Sequence, residues 1–217
     1  MIKVTYIDHM GSDLSVVNAA RVSFNKKSKW GGLPMEKKLN EADGKLIYYL
    51  ARHKHTSPFG HCFASFHVRA PVFVARQLVK HKFLRWNEIS KRYHDGEPDF
   101  YVPDVWRGRS ADKKQGSEGV VKDINPLFMS DMAVNAHEDY NYLLSKGVCP
   151  EQARMVLPQS MMTEWYWSGS LDAFADMCQL RCSSDTQEES REVAELIEDE
   201  MMHLFPVSWE ALRMYAE

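Results

Sequence analysis

The hydrophobic pattern of the chain changes its period at Pro71, and this change constrains the fold more than any other feature. Residues 62–70 alternate apolar side chains with polar or mixed ones, which predicts a β-strand. Pro71 suits the first turn of a helix, and residues 71–82 then continue as a helix. The chain therefore contains a strand that passes directly into a helix, and its fold needs both a sheet and helices.

The rest of the chain is predicted to be mostly helical. Further strands are expected at 2–7 and 163–168, where β-branched and aromatic residues are dense. Helices are expected over 35–53, 125–147 and 149–157. Four further helices are expected to begin at capping residues, namely Ser12 or Asp13, Ser170, the capping-box pair Thr186 and Glu189, and Ser208. Residues 104–122 are polar, and we expect a long, poorly ordered surface loop there. Together these elements predict a single α+β domain over 1–217, with helices packed on a small mixed or antiparallel sheet.

Size, charge and hydropathy exclude several classes of protein. The chain has 217 residues, a net charge of −3 and a pI near 6.3, whereas a general nucleic-acid binder is usually basic. No apolar run is long enough to span a bilayer, and the N-terminal stretch lacks the apolar segment of a signal peptide. We therefore expect a protein of the cytoplasm, or of a host cytoplasm if the gene is viral, without a nucleic-acid or membrane partner.

The cysteines and histidines do not form a recognisable metal-binding pattern. The four cysteines include no C-x-x-C pair, and the histidines between His53 and His67 lack an H-E-x-x-H motif. Cys178 and Cys182 are spaced to share one helical face, but no nearby residues are arranged to supply two further ligands. Reduced, packed thiols and no bound metal are expected.

Residues 80–93 gather positive charge although the whole chain is slightly acidic. Cations at a helix C-terminus balance the helix dipole, but this segment has more of them than that purpose needs. Gln77, Asn87 and Ser90 add hydrogen-bonding groups that orient a polar ligand. Because Lys and Arg favour phosphate, an anionic and flat ligand such as a nucleotide is predicted. The glycine-rich phosphate motifs are absent, so side-chain cations would have to bind the phosphate.

The same segment resembles the flavin-dependent thymidylate synthases. Their signature of Arg-His-Arg, seven residues and Ser is similar to Lys80-His81-Lys82 and Ser90, and their Asn-Glu-x-Ser-x-Arg-Tyr block matches residues 87–93. Further matching blocks follow in the family's order: AARVSF, HTSPFGH, FHVRAPVFVARQ, ARMVLP and the pair Leu180-Arg181. The resemblance therefore covers most of the chain.

The resemblance implies that a homotetramer with shared active sites converts dUMP to dTMP. Methylenetetrahydrofolate would supply the methylene group, and FAD reduced by NADPH would supply the hydride. The unrelated cysteine-dependent thymidylate synthases attack the pyrimidine with a Cys in a Pro-Cys-His/Gln setting, which none of the four cysteines here has. Reduced flavin and electrostatic polarisation of the uracil are the expected substitute.

The resemblance also assigns roles to individual residues. Arg181 is the expected catalytic residue, facing the N3/O2 edge of the uracil, and Arg154 and Arg92 would hold the phosphate. The full set expected to bind dUMP is Gln77, Leu78, Val79, Lys80, Glu88, Ile89, Ser90, Lys91, Arg92, Arg154 and Arg181. The set expected to bind FAD is Ser23, His55, Ser57, Lys80, His81, Lys82, Asn87, Glu88, Ser170 and Asp176. Two structural alternatives stay open, in which Arg181 pairs with Asp185 and Arg154 pairs with Glu151.

Two departures from the family pattern bear on flavin binding. Lys80 and Lys82 stand where the signature has arginines, so the charge is kept but the planar, bidentate guanidinium is lost. Asp172 and Asp176 stand where the family often has Arg and Asn, and acids near a flavin pyrophosphate would weaken its binding. We therefore expect flavin affinity to be the property that these substitutions change most.

Three other functions remain possible from the sequence. A flavin-dependent enzyme on the same scaffold could hydroxymethylate a pyrimidine nucleotide. A non-catalytic nucleotide- or RNA-binding protein could stack bases on Trp86 and Tyr93. A structural oligomer could bury the basic segment at an interface.

Overall fold

The structure is a computed structural model that describes residues 1–32, 37–94, 96–111, 116–125 and 127–215. The described strands are β1 (Lys3–Met10), β2 (Phe63–Pro71), β3 (Leu84–Glu88), β4 (Arg107–Arg109), β5 (Ser117–Val120) and β6 (Met162–Ser170). The described α-helices are α1 (Asp13–Arg21), α2 (Glu41–Arg52), α3 (Val72–Leu78), α4 (Phe128–Ser145), α5 (Pro150–Ala153), α6 (Leu171–Arg181), α7 (Glu188–Leu204) and α8 (Pro206–Met214). Short 3₁₀ helices lie at Val22–Phe24, Phe59–His61 and Arg154–Val156.

The main sheet is antiparallel and has the strand order β1-β2-β6-β3. Strands β2 and β6 pair along their whole length, from Phe63 opposite Ser170 to Pro71 opposite Met162. Strand β1 lies at one edge, as predicted for residues 2–7. The prediction of an α+β chain with helices on a small sheet is therefore confirmed.

Aromatic residues on one face of this sheet form its contact with the helices. The rings of Trp86 and Trp165 stack with their centroids 4.3 Å apart, and Trp167 meets Phe174 of α6 edge-on at 5.7 Å. Trp165, Trp167 and Phe174 are almost fully buried. Such aromatic pairs stabilise a fold by about 1 kcal/mol each beyond the area that they bury. The stack fixes β3 against β6. The turn that contains Lys80, His81 and Lys82, here called the basic turn, leads directly into β3.

Helix α3 is shorter than the predicted 71–82, so the prediction that a helix presents Lys80, His81 and Lys82 is wrong. The helix ends at Leu78, and the three residues lie in the turn before β3. The turn is needed because Leu84 must pair with Gly169 of β6. A Cβ at Gly169 would lie 2.4 Å from Cδ2 of Leu84 and 3.0 Å from the backbone oxygen of Phe83, so this close approach favours glycine.

Helix α2 begins later than predicted. Met35 and Glu36, at the start of the predicted helix 35–53, lie outside the described residues. The helix itself starts at Glu41, because the side chain of Asn40 accepts a hydrogen bond from the N–H of Asp43 at 2.9 Å and caps it.

The predicted caps of α7 and α8 are wrong. The cap of α7 is Gln187 rather than Thr186, whose hydroxyl donates to the backbone oxygen of Leu180 at 2.9 Å. Helix α8 starts at Pro206 instead of after Ser208. The buried carboxylate of Asp13 accepts from the N–H groups of Val207 and Ser208 at 3.1 and 2.8 Å, which satisfies the first turn of α8.

The polar stretch 104–122 contains regular structure rather than only a loop. Strands β4 and β5 form a two-stranded antiparallel hairpin, which the prediction missed. Residues 112–115 of this stretch lie outside the described residues, as does Pro126, which was predicted to open the helix 125–147. That helix, α4, starts at Phe128, and Gly147 follows its C-terminal cap with a φ of +83°, as expected.

All four cysteines are free thiols, in agreement with the sequence. Cys62 and Cys178 are buried, but Cys149 is exposed, so the expectation of packed thiols is wrong for that residue. Across the part of the chain that the structure describes, no helix is both long and apolar enough to cross a membrane.

Candidate active site

Two cavities lie on either side of Arg76, and between them they contain much of the predicted nucleotide site. The first, here called the Arg181 cavity, has a volume of about 830 Å³ and includes Gln77, Lys80 and Arg181 in its lining. The second, the Glu88 cavity, has a volume of about 660 Å³ and includes Glu88, Ile89, Lys91 and Arg154. Arg76 of α3 lines both.

Arg181 is held in a fixed orientation at the end of α6. Its Nε donates a hydrogen bond to Nε2 of His81 at 2.9 Å. His81 can accept this bond only when Nε2 is unprotonated, so the neutral imidazole carries its proton on Nδ1. Burial, together with the charge of Arg181, lowers the pKa of His81 to about 4, which keeps the ring neutral at physiological pH. Burial also lowers the pKa of Arg181 from its ordinary value.

Gln77 is the second oriented group of the Arg181 cavity. Its Nε2 donates to Oε1 of Gln187, and its Oε1 accepts from the hydroxyl of the buried Ser190 at 3.2 Å. Gln187 in turn donates from Nε2 to the carboxylate of Glu189 at 3.0 Å. Glu189 is buried and forms an ion pair with Arg107 of the β4–β5 hairpin. The hairpin is thereby tied to α7 at the edge of the cavity.

Glu88 is the best-anchored residue of the Glu88 cavity. It ends β3, and its carboxylate accepts hydrogen bonds from Oγ1 of Thr163 at 2.7 Å and from Nε1 of Trp86 at 3.1 Å. Trp86 also stacks on Trp165, which takes one face of its ring. This packing leaves Trp86 poorly suited to the base stacking that a nucleic-acid-binding role would require.

Arg154 lines the Glu88 cavity, whereas Ser90 and Arg92 line neither cavity, and both arginines are exposed. Arg154 donates from Nε to the backbone oxygen of Glu151 at 3.2 Å, so it does not use the Glu151 carboxylate as the alternative interpretation had it. Ser90 accepts from the backbone N–H of Arg92 at 3.2 Å and from its Nε at 3.4 Å. The guanidinium of Arg92 also lies 4.8 Å from the ring centroid of Tyr93. Arg92 and Arg154 could both turn toward an anion at little cost.

Several residues expected to bind FAD line neither cavity. Ser23, His55, Ser57, Lys82 and Asn87 are exposed and are found in the lining of neither cavity. Ser170 and Asp176, at the cap of α6 and within it, also line neither cavity.

The side chains of two predicted dUMP ligands do not enter either cavity, and one predicted FAD ligand has a shifted pKa. Leu78 is fully buried in the core and Val79 is exposed outside both cavities, so only their backbone could meet a ligand at the Arg181 cavity. Burial and the neighbouring charge of Asp172 raise the pKa of Asp176, while Lys54 opposes this rise. This shift makes Asp176 easier to protonate than an ordinary aspartate side chain.

The sequence did not identify some residues that shape the cavities. Arg76 could have been found, because it is four residues from Lys80 and next to Gln77. Arg107, Gln187 and Glu189 gave no such signal, because Arg107 and Glu189 meet across 82 residues of sequence. The described residues contain no group of three or more His, Cys, Asp or Glu side chains arranged to hold a metal ion. The site as a whole offers guanidinium, ammonium and amide donors to a phosphorylated, hydrogen-bonding ligand.

Comparisons with known proteins identify the family. The family model of the thymidylate synthase complementing protein, Thy1, matches residues 5–207. Flavin-dependent thymidylate synthase from Thermus thermophilus is 39% identical over 209 residues, which cover 96% of this chain and 74% of that protein. The chain belongs to the flavin-dependent thymidylate synthase family. The family's protein from Thermotoga neapolitana is 38% identical over 213 residues, covering 98% of this chain and 91% of the relative.

A solved protein has the same fold over almost the whole chain. The crystal structure of the UMP/dUMP methylase PolB from Streptomyces cacaoi bound with 5-Br dUMP superposes with a TM-score of 0.82 and is 33% identical. The match covers 99% of this chain and 96% of that chain. The structure of the same methylase bound with 5-Br UMP gives a TM-score of 0.84 at 32% identity. The fold from β1 to α8 is therefore shared with this methylase.

Proposed function

We propose that this chain catalyses the reductive methylation of dUMP to dTMP. Methylenetetrahydrofolate would supply the one-carbon unit, and bound FAD, reduced by NADPH, would supply the hydride that completes the methyl group. The observation that carries the proposal is the convergence of Arg181, Gln77 and Lys80 on one cavity in a chain of this family. Two of these side chains are held by hydrogen bonds, as a site that must orient a small planar ring requires.

In this proposal Arg181 polarises the uracil. Its Nε is used by His81, so the terminal nitrogens of the guanidinium remain to bind the N3/O2 edge of the ring. A fixed positive charge there stabilises the ionised form of the ring, whose electron density makes C5 nucleophilic toward the one-carbon unit. The neutral state of His81 matters, because a protonated ring would repel Arg181 and could not accept its hydrogen bond.

Neither buried cysteine is well suited to replace this electrostatic activation with covalent attack. Burial raises the pKa of Cys62 to about 11 and also raises the pKa of Cys178 well above its ordinary value. Both thiols are thus protonated at neutral pH, and only a thiolate is a strong nucleophile. Activation by Arg181 therefore fits the residues of this chain better than attack by either buried thiol.

The residues that would hold FAD offer it positive charge and one unsatisfied hydrogen-bond acceptor. Lys80 and Lys82 are exposed ammonium groups on one turn and suit a pyrophosphate as point charges. The carboxylate of Asp172 has an oxygen that is buried without a hydrogen-bond partner in the described structure, on the same helix as Asp176. A ligand group that donates a hydrogen bond to Asp172 would satisfy that oxygen.

We also propose that the active site is completed by assembly into a homotetramer. The proposed dUMP ligands divide between the two cavities, with Gln77, Lys80 and Arg181 in one and Glu88 and Arg154 in the other. If the Arg181 cavity of one subunit faced the Glu88 cavity of another, the uracil and the phosphate could be bound from opposite sides. The family resemblance and the division of the ligands both support this arrangement.

The proposal is tested by colour and by product. The purified protein should be yellow, or become so with FAD, and dUMP should shift its flavin spectrum. Incubation with dUMP, methylenetetrahydrofolate and NADPH should then give dTMP and tetrahydrofolate, measured by liquid chromatography and mass spectrometry. A parallel reaction with UMP is included because a structurally similar protein is described as a UMP/dUMP methylase. A 5-hydroxymethyl product without dTMP, or a colourless protein whose nucleotide binding collapses with salt, would contradict the proposal.

A further inference from the structure

We propose that Glu189 is a positioning residue that sets the orientation of the Gln77 side-chain amide, so that Gln77 presents an N–H donor to an acceptor oxygen of the nucleotide. This inference rests on the proposed function, because it takes Gln77 as a residue that binds dUMP. Glu189 itself need not touch the ligand. Its role is exercised through Gln187, which lies between the two side chains.

Glu189 is a buried carboxylate with a full set of partners. It is only 5% exposed. Its Oε1 accepts from Arg107, with which it forms an ion pair, and lies 3.5 Å from the hydroxyl of Tyr101, while its Oε2 accepts from Gln187 at 3.0 Å. Burial by itself would raise the pKa of Glu189, but hydrogen bonds from its own backbone N–H, Arg107 and Gln187 outweigh burial and lower it. The group is therefore ionised at neutral pH.

The ionised carboxylate of Glu189 fixes the donor-to-acceptor direction of the hydrogen bonds that link it through Gln187 to Gln77. It can only accept hydrogen bonds, so Gln187 must turn its NH₂ group toward Glu189. The side-chain carbonyl oxygen of Gln187 then faces Gln77, so Gln77 must donate a hydrogen bond to it from its own NH₂ group. The carbonyl oxygen of Gln77 is left to accept from Ser190. Without the charge, two flipped amides would form nearly as many hydrogen bonds.

This polarity decides what Gln77 can offer to a ligand. An amide nitrogen carries two hydrogens, and Gln187 takes one of those on Nε2 of Gln77. The second is left for the Arg181 cavity, which Gln77 lines. The acceptor oxygens of dUMP, on its uracil carbonyls and its phosphate, match this donor. A flipped Gln77 would turn its carbonyl oxygen toward an anionic ligand and repel it.

The neighbouring acid Glu188 provides a matched control. It also meets Arg107, at 3.3 Å between Nη1 and Oε2, but it is exposed and makes no described contact with Gln187 or Gln77. Removing the charge of Glu188 therefore removes one ion-pair partner of Arg107 and leaves the hydrogen bonds of Gln187 and Gln77 intact. A comparison of Glu188→Gln with Glu189→Gln separates the charge balance of Arg107 from the orientation of Gln77.

The decisive experiment is a double-mutant cycle on dUMP binding, measured by calorimetry with protein saturated with FAD. Glu189→Gln should weaken dUMP binding about tenfold, whereas Glu188→Gln should change it by less than about twofold. In a Gln77→Ala background, Glu189→Gln should have almost no further effect, because the group through which it acts is gone. Losses that simply add, or an equal loss in Glu188→Gln, would show that Glu189 acts through the fold in general and would overturn the inference.

A second variant keeps the inference testable if Glu189→Gln does not fold. Gln187→Ala breaks the link to Gln77 but leaves the buried pair of Glu189 and Arg107 in place. It should weaken dUMP binding as strongly as Glu189→Gln, and again without further loss in the Gln77→Ala background. Normal dUMP binding by Gln187→Ala would overturn the inference while the proposed function stands. Failure of the unaltered protein to bind dUMP would overturn the proposed function, and this inference with it.

Discussion

The Arg181 cavity and the Glu88 cavity hold their positive charges in different ways. In the Arg181 cavity, Arg181 is bound by a neutral histidine and Gln77 by a chain of hydrogen bonds that ends at a buried ion pair. In the Glu88 cavity, Arg154 is exposed and is held by one backbone oxygen. The first arrangement fixes groups before a ligand arrives, which is what stabilisation of a transition state needs. The second leaves the Arg154 side chain free to follow a phosphate, which mainly contributes affinity. Arg69, which also lines the Glu88 cavity, is instead paired with Asp99 and Glu164.

The largest expected effect is therefore on turnover, at Arg181. The change Arg181→Ala should lower kcat for dTMP formation by at least about 100-fold, because it removes a fixed charge from the reacting ring. Circular dichroism and thermal unfolding should show that the fold is kept. Arg191→Ala is a suitable control, since Arg191 pairs with Glu195 on the surface of α7 and lines neither cavity. Turnover that survives in Arg181→Ala would remove this residue from its catalytic role.

A smaller effect, and one on affinity alone, is expected at Arg154. Arg154→Ala should raise KM for dUMP about tenfold and change kcat by less than about threefold, because the phosphate contact is made equally in substrate and transition state. Steady-state kinetics at two salt concentrations measure both constants and show whether the lost contact is ionic. Gln152→Ala, an exposed neighbour outside both cavities, serves as the control. If kcat falls as far as kcat/KM, the contrast drawn between the two cavities is wrong.

Flavin affinity should increase when the arginines of the family signature are restored at positions 80 and 82. The double change Lys80→Arg and Lys82→Arg should strengthen FAD binding by about three- to tenfold, since a planar fork can bind a pyrophosphate through two hydrogen bonds where an ammonium acts as a point charge. Quenching of flavin fluorescence measures the affinity. Lys122→Arg, at an exposed position outside both cavities, should leave it unchanged. Unaltered or weaker FAD binding would show that these lysines do not contact the pyrophosphate.

The sequence predicted the central strands better than the junctions between elements. The alternation in 62–70 and the aromatic run in 163–168 correspond to β2 and β6, because a strand with one buried face must alternate. Strand β3 was missed because Leu84, Trp86 and Glu88 are set among cations that obscure its period of two. The end of α3 was misplaced for a related reason, since the pairing of Leu84 with Gly169 is a tertiary contact that local patterns do not contain.

The candidate site shows the same limit. The residue types of the basic turn, together with the resemblance, identified Gln77, Lys80 and Arg181, and the structure brings these three to one cavity. Glu189 was noted only as half of a capping box, although its carboxylate binds Arg107 and Gln187 instead. A hydrogen-bond chain that joins a hairpin, a helix start and the end of α3 cannot be found from spacing, because its members are distant in sequence.

The smallest expected effect tests how the Arg181 cavity holds its cation. In the folded protein His81 stays neutral down to a pKa of about 4, against an ordinary value of 6.5 in the unfolded chain. As pH falls from 7 to 5, the unfolded state binds a proton at His81 that the folded state does not, so stability should decrease, by on the order of 1 kcal/mol from this group after allowance for solvent screening. His81→Gln keeps an acceptor for Arg181 and removes the titration. Urea unfolding at fixed protein concentration should therefore show a weaker loss of stability toward pH 5 in His81→Gln than in the unaltered protein. Equal pH dependence in the two proteins would mean that His81 takes up its proton over the same pH range in the folded and unfolded states, which would contradict its burial beside Arg181.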